Sequence, residues 1–358
     1  MPRGRHPTVV IALSLLGGTF AASVAAAQST TTTTTTSTTT PATVTIAAVG
    51  DTELGNTPML PSDPDDYFRP IQRALAAPIV FGNLEGTMTN ATTSKCGDAP
   101  SATCYAFKVP PSFARVYRAA GFTVLNAANN HSFDFKEAGA VATTTALRAA
   151  GIAQAGLPGE IGLVREGPLR VAFVDFAPYD NTNDLLNFPV ARQLIRRAKT
   201  LADIVVVYMH AGAEGAGADH VTKHEEYFVG EDRGNPFAFA HAAINDGADL
   251  VIASGPHVLR GLEFYRGRLI DYSLGDFVNY DDFADNGVLD LSAILHVTLA
   301  ADGHFVAAHF TSVVLRGEGQ AFVDATDAAA HFVNTLSRDD FGASAAIVDA
   351  NGAIESPH

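Results

Sequence analysis

Basic residues are scarce in this chain. Lys and Arg number 23 against 38 Asp and Glu over 358 residues, a formal charge of −15. A surface so poor in positive charge excludes nucleic acid and anionic membranes as bulk partners, because neither polyanion is attracted to it. Cysteine is nearly absent: Cys96 and Cys104 are the only two. That leaves no thiolate set for a structural zinc and no lipid acceptor behind the N-terminal apolar run. No Gly-x-Ser-x-Gly elbow and no catalytic cysteine arrangement occurs, which removes those covalent routes. No repeat recurs at solenoid periods, and no apolar run after residue 27 is long enough to span a bilayer.

What stands at the N-terminus reads as an address. Arg3 and Arg5 form a basic region, residues 9–16 are apolar, and Ala25, Ala26 and Ala27 give a small-residue cleavage site. This is the pattern of a secretory signal over residues 1–27. The alternative is a retained membrane anchor, which Gly17, Gly18, Thr19 and Ser23 weaken as a span. Cleavage would remove two arginines and no acids, taking the charge to −17. Residues 28–42 are almost all threonine and serine. They have too little apolar surface to fold and read as a disordered spacer. The folded domain is expected over 43–341, followed by a tail over 342–358. The expected location is secreted or at the cell surface.

Apolar runs at 44–49, 79–81, 122–125, 169–176, 204–209 and 250–253 read as buried strands. The run at 204–209 is nearly continuous, as in a parallel sheet covered on both faces. Helical spacing predicts helices over 70–77, 111–120, 137–150, 190–202 and 236–246, with Gly121 and Gly151 as stop signals. Strands over 268–272, 289–298 and 305–315 follow with only turns between them. Parallel units first and hairpin-like strands later imply a mixed, two-sheet α/β body.

Five apolar strands each end in a candidate ligand: Asp51; Asn83 with Glu85; Asn130 with His131; His210; and His257. Each alone is satisfied by a capped loop or a turn. Together they point to one rim, because ligand sites in α/β sheets form at the carboxyl ends of strands. Carboxylate, amide and imidazole without thiolate suit Mn, Fe or Zn rather than Ca or a structural zinc. Five or six ligands exceed what one catalytic zinc takes. They fit two divalent ions, whose reaction class is hydrolysis of a phosphate ester. Cys96 and Cys104 are expected to close a short disulfide loop in an exported chain, worth about 2–3 kcal/mol. The alternative, a soft metal site, is poorly made by two isolated cysteines.

Six segments carry a resemblance. They are Gly50-Asp51, Asn83-Leu84-Glu85-Gly86, Ala128-Asn129-Asn130-His131-Ser132-Phe133-Asp134, His210-Ala211-Gly212-Ala213-Glu214, Gly255-Pro256-His257-Val258-Leu259-Arg260-Gly261 and Tyr272-Ser273-Leu274-Gly275-Asp276-Phe277-Val278. In that order they resemble the CapA family of poly-γ-glutamate capsule synthesis proteins, a branch of the calcineurin-like metallophosphoesterases. The resemblance implies a four-layer α/β/β/α sandwich with two mixed sheets. It implies Asp51, Glu85, Asn130, His210 and His257 as metal ligands, with Asn83 beside the bridging carboxylate Glu85. His131 would be the general acid or the base that orients phosphate, with Asp134 completing the catalytic pair. Glu214 would orient a liganding imidazole, and Arg260 would face either a substrate anion or solvent. A phosphate ester or an anionic polymer such as poly-γ-glutamate is the implied substrate, alongside the envelope synthesis machinery. The superfamily's Asp-x-His opening is Asp51-Thr52-Glu53 here, so one imidazole is missing. Ser254 or Gly255 stands where a further ligand belongs, and Asp276 replaces an Asn. Competing functions are a polymer-binding assembly factor on the same fold, and a hydrolase or transferase acting on amide bonds of the polymer.

Overall fold

Buried apolar strands force two sheets to cover one another. In a computed structural model the chain is described over residues 42–97, 104–280 and 286–356, with Ala12 and Ser14. The expected signal and all of the spacer but Ala42 therefore lie outside the described residues, save those two positions. The folded unit runs from Pro41 to His358. Its first part comprises β1 (Thr43–Glu53), β2 (Ile79–Leu84), the short β3 (Thr87–Met88) and β4 (Lys108–Val109), α1 (Ala114–Ala120), β5 (Val124–Asn126), α2 (Lys136–Ala150) and β6 (Ala153–Ala155). Next come β7 (Gly162–Glu166), β8 (Leu169–Phe176), α3 (Phe188–Leu201), β9 (Ile204–His210) and the small ladder of β10 (Tyr227–Phe228) and β11 (Glu231–Asp232). They are followed by α4 (Pro236–Asp246), β12 (Leu250–Ser254), β13 (Leu262–Tyr265), β14 (Arg268–Asp271) and β15 (Asp276–Asn279). The chain ends with β16 (Leu291–Ala300), β17 (Phe305–Arg316), β18 (Gln320–Val323), α5 (Ala328–Phe341), β19 (Ile347–Val348) and β20 (Ala353–Glu355).

The larger sheet has the order β19-β20-β17-β16-β1-β2-β5-β6, with β15 beside β1 and β18 beside β17. The smaller has the order β13-β14-β12-β9-β8-β7. Both mix parallel and antiparallel pairs. Ile46, Phe81 and Val124 of the first sheet pack on Phe173, Val206 and Ile252 of the second. Phe81 and Phe173 stack with ring centroids 5.3 Å apart. The outer face of the larger sheet packs on Val116 and Tyr117 of α1 and Leu147 of α2. That of the smaller sheet packs on Leu194 of α3 and Phe239 of α4. Helix, sheet, sheet, helix is the expected four-layer sandwich. Burying a side chain such as Phe81 stabilises it by about 1.5–3 kcal/mol. Among the described residues no helix is long and apolar enough to cross a membrane.

Two expectations are corrected. Residues 67–75 are turns and not a helix over 70–77. Pro70 brings no N–H, and Pro78 turns Ala77 away from helical geometry. The segment from 342 is no tail: β20 pairs with β17 and β19 with β20, so it forms an edge of the larger sheet.

Candidate metal centre

Strand register gathers the site. Asp51 of β1 pairs with Asn83 of β2 on one side and with Asp276 of β15 on the other, and Asn83 pairs with Asn126 of β5. Four polar side chains therefore stand in a row across one sheet. In the other sheet His210 of β9 pairs with Ser254 of β12. Gly50 is what admits β15: a Cβ there would sit 1.8 Å from the Gly275 carbonyl oxygen. The close approach is sealed by the Asp51 N–H donating to that carbonyl at 2.9 Å.

Asn83 orients the acids. Its Nδ2 donates to Asp51 Oδ1 at 2.6 Å and to Glu85 Oε2. Its Oδ1 accepts from Asn126 at 2.6 Å and Asn129 at 2.8 Å. Three amides thus aim two carboxylates at one point. Asp51 also accepts from the Ser254 hydroxyl and, at 3.2 Å, from the Gly255 N–H. Gly255 has φ +111, and a Cβ there would lie 3.1 Å from the His210 ring. The two positions where a further ligand belonged are therefore donors that hold Asp51. Glu53 falls in neither ligand group among the described residues.

Two buried ligand groups result, Asp51 with Glu85 and His210, and Asp51 with His257 and Asp276. Within each, the candidate donor atoms all lie within 4.8 Å of one another. Asp51 belongs to both. Glu85 Oε1 and His210 Nε2, on residues of the first group, and Asn130 Oδ1 are among the buried side-chain atoms left with no hydrogen-bond partner. Native proteins rarely leave such atoms unsatisfied. The donor set is oxygen and imidazole nitrogen, which fits Mn, Fe or Zn.

Electrostatics agree. Burial would raise the Asp51 carboxyl, but hydrogen bonding from His257 and the nearby His210 hold it at about 2. Burial, then the Asp51 charge, push Glu85 well above the usual carboxylate range. Burial drives His210 well below its usual value, leaving a neutral imidazole. Burial opposes protonation of His257, but Asp276 at 2.8 Å and Asp51 at 3.3 Å win and raise it well above its usual value. Without an ion, then, Glu85 and His257 both hold their protons more tightly than usual, and a cation competes with those protons. Metal binding is expected to release protons and to tighten as pH rises. Titration calorimetry in buffers of different ionisation enthalpy checks this; a buffer-independent heat would contradict it.

His131 and Asp134 form a dyad at the rim. His131 Nδ1 lies 2.8 Å from Asp134 Oδ2, and Nε2 faces Glu85 Oε1 at 3.9 Å. Asn130 and His131 thus diverge, the amide oxygen unpartnered and the imidazole held by its own acid. Glu214 lies 3.8 Å from His257 Nε2 and is held by Arg233.

Three residues escaped the sequence reading. Asp276 was visible as the acid ending Tyr-Ser-Leu-Gly-Asp, but its role needs the β1–β15 pairing. Asn126 ends its strand unremarked. Arg233, 1% exposed, leaves no sequence signal at all. Arg260 is also corrected. It is buried rather than at the surface, and pairs with Glu226 Oε2 at 2.8 Å and Oε1 at 3.3 Å. Glu226 in turn accepts from the Ala213 N–H at 2.9 Å, so the pair staples the loop carrying Glu214. Arg260→Ala strands a buried carboxylate and is expected to cost about 3–5 kcal/mol of stability. Chemical denaturation measures this, and a loss below ~1 kcal/mol would contradict a buried pair.

A family model described as Bacterial capsule synthesis protein PGA_cap matches residues 45–281. The chain belongs to that family. Every residue of the centre, from Asp51 to Asp276, lies inside the matched span. The chain is 29% identical over 229 residues to the PGA biosynthesis protein CapA of Bacillus subtilis (strain 168), covering 59% of this chain and 55% of that protein. It is 31% identical over 186 residues to the capsule biosynthesis protein CapA of Bacillus anthracis, covering 46% and 42%. The chain thus spans about half the length of these curated relatives. Among solved structures, a putative 5'-nucleotidase from Staphylococcus aureus in complex with alpha-ketoglutarate aligns with a TM-score of 0.42 at 13% identity, over 82% of this chain and 58% of that one.

Proposed function

We propose that the chain is an exported, metal-dependent hydrolase of phosphate esters that serves capsule or cell-envelope polymer synthesis. The observation that carries this reading is the sharing of Asp51 between two buried ligand groups. Asp51, Glu85, His210 and Asn130 would hold one divalent ion, and Asp51, His257 and Asp276 the other. When bound, such a pair supplies Lewis-acid polarisation of a phosphoryl oxygen and a water nucleophile active at neutral pH.

The chain's own residues do the rest. Asp134 accepts from His131 Nδ1, which leaves Nε2 turned into the site to exchange a proton with the ester's leaving oxygen. Burial holds the His131 imidazole below its usual value against the pull of Asp134. Charge also favours an anionic substrate. Asp51, Glu85, Asp276 and Glu214 supply four carboxylates, and Arg233 one buried cation. Two divalent ions would tip this balance to net positive. The names of the Bacillus relatives support a role in poly-γ-glutamate capsule formation, and the N-terminal pattern supports export. The test is turnover of p-nitrophenyl phosphate by the purified chain with Mn, Fe or Zn, beside its metal content. Turnover that tracks metal supports the reading. Metal binding without turnover of this ester under any of the three ions would overturn it in favour of a polymer-binding assembly role on the same fold.

A further inference from the structure

The His131–Asp134 dyad is held by a segment that belongs to neither sheet core. Asp134 is fully buried, and both its oxygens are engaged. Oδ2 accepts the Phe107 N–H at 2.6 Å as well as facing His131 Nδ1. Oδ1 pairs with the Lys95 ammonium at 2.7 Å. The Lys95 N–H donates to the Asp134 carbonyl at 2.7 Å. The Lys95 ammonium also donates to the Asn130 carbonyl at 3.1 Å. The Phe107 ring lies against the His131 imidazole with centroids 4.4 Å apart. Lys95 and Phe107 therefore grip the dyad from two sides, and Cys96 and Cys104 are bonded to each other between them.

Loop entropy gives the bond its consequence. Lys95 and Phe107 are separated by a polar, Gly-, Pro- and Ser-containing stretch with little apolar surface. A stretch of that composition has little burial to offset the entropy of fixing the spacing of its ends. A cross-link between Cys96 and Cys104 fixes that spacing, with Cα atoms 5.7 Å apart. We propose that the Cys96–Cys104 disulfide, flanked by Lys95 as ionic anchor and Phe107 as amide and ring anchor, is a strap that positions His131. Without Lys95 the buried carboxylate loses its ammonium partner and can turn, so Nδ1 loses a fixed acceptor and Nε2 a fixed direction. Without the disulfide both anchors loosen together. Lys95 is a positioning residue, acting through Asp134. The strap itself rests on geometry; only its effect on turnover rests on the phosphoesterase reading.

The test uses the full chain labelled with 15N-histidine, with the His131 signals assigned by their loss in His131→Gln. In wild type His131 Nδ1 is expected at the position of a protonated, hydrogen-bonded nitrogen. In Lys95→Met and in Cys96→Ser/Cys104→Ser that signal is expected to broaden or shift, with metal content unchanged. Turnover of p-nitrophenyl phosphate is expected to fall by about 10–100-fold in kcat with KM nearly constant, the scale of a misplaced catalytic group. Lys95→Arg, which keeps the charge, is expected to restore the signal. A wild-type Nδ1 signal in both variants would overturn the strap. If the double serine variant does not fold, Lys95→Met, with its disulfide intact, decides alone. If the signal changes but wild type turns over no ester, the strap stands and the phosphoesterase reading falls.

Discussion

Asp51→Ala is expected to strip the protein of divalent metal altogether. Asp51 is the one residue common to both ligand groups, and it is held in place by Asn83, Ser254 and Gly255. Changes outside the first ligand shell already cost about 10–100-fold in metal affinity, so loss of a shared ligand should exceed that at both positions. His210→Ala and Asp276→Ala each damage one group only, and each is expected to retain about half the metal after dialysis. Elemental analysis of the dialysed proteins reads this directly. Melting supplies a second readout. Binding to the native state at 100 times Kd contributes about 2.7 kcal/mol, several degrees in a chain of this size. Excess chelator should lower the melting temperature of wild type by that amount and leave Asp51→Ala unmoved. Full metal retention by Asp51→Ala, or equal loss in Asp276→Ala and Asp51→Ala, would show that the two groups do not share Asp51.

The contrast between Asp51 and Asp276 also shows which parts of the centre were legible in the sequence. Asp51, Glu85, His210 and His257 follow apolar strands, and a polar residue at the end of a buried strand needs a partner to offset its desolvation. That local signal found them, and the same burial made strands β1, β2, β5, β8, β9, β12, β14, β16 and β17 and helices α2 to α4 readable to within a few residues, while β6, β7, β13, β15 and β18 to β20 went unread. Asp276 stands in the Tyr-Ser-Leu-Gly-Asp segment, but the strand it begins has a partner more than two hundred residues away, so nothing local marks it as a ligand. Arg233 and Glu226 sit at the foot of the β10–β11 ladder, between β9 and α4. Their burial follows from contacts with Glu214 and Arg260 that no periodicity encodes. Asn83 was read as standing beside Glu85, but only the fold shows that its amide faces two carboxylates. α5 was overlooked because it is rich in Ala and polar residues, yet Ala329 and Val333 fill the core between the sheets. Asp51 and Asp276 lie on neighbouring strands, and only the fold brings them together.

His131→Ala separates binding from turnover. His131 stands beside Asn130 in sequence, but its ring is tied to Asp134 and packed against Phe107, and it is in neither ligand group among the described residues. Removing it takes away a proton donor or acceptor without removing a donor to the metal. A positioned imidazole in such a role contributes about 10²–10⁴-fold to rate. The variant is therefore expected to lose turnover by at least two orders of magnitude, about 10²-fold, while metal content and melting temperature stay near those of wild type. His257→Ala should behave differently. It removes a ligand held between Asp51 and Asp276, so metal and turnover should fall together and added metal should restore part of the rate. Single-turnover measurements at saturating metal distinguish the two, because only His131→Ala should remain slow when the site is full. Full activity in His131→Ala would assign the proton transfer to another group and leave Asp134 with a purely structural part. Loss of metal in His131→Ala would instead place the imidazole among the ligands, with Nε2, 3.9 Å from Glu85, as the coordinating atom.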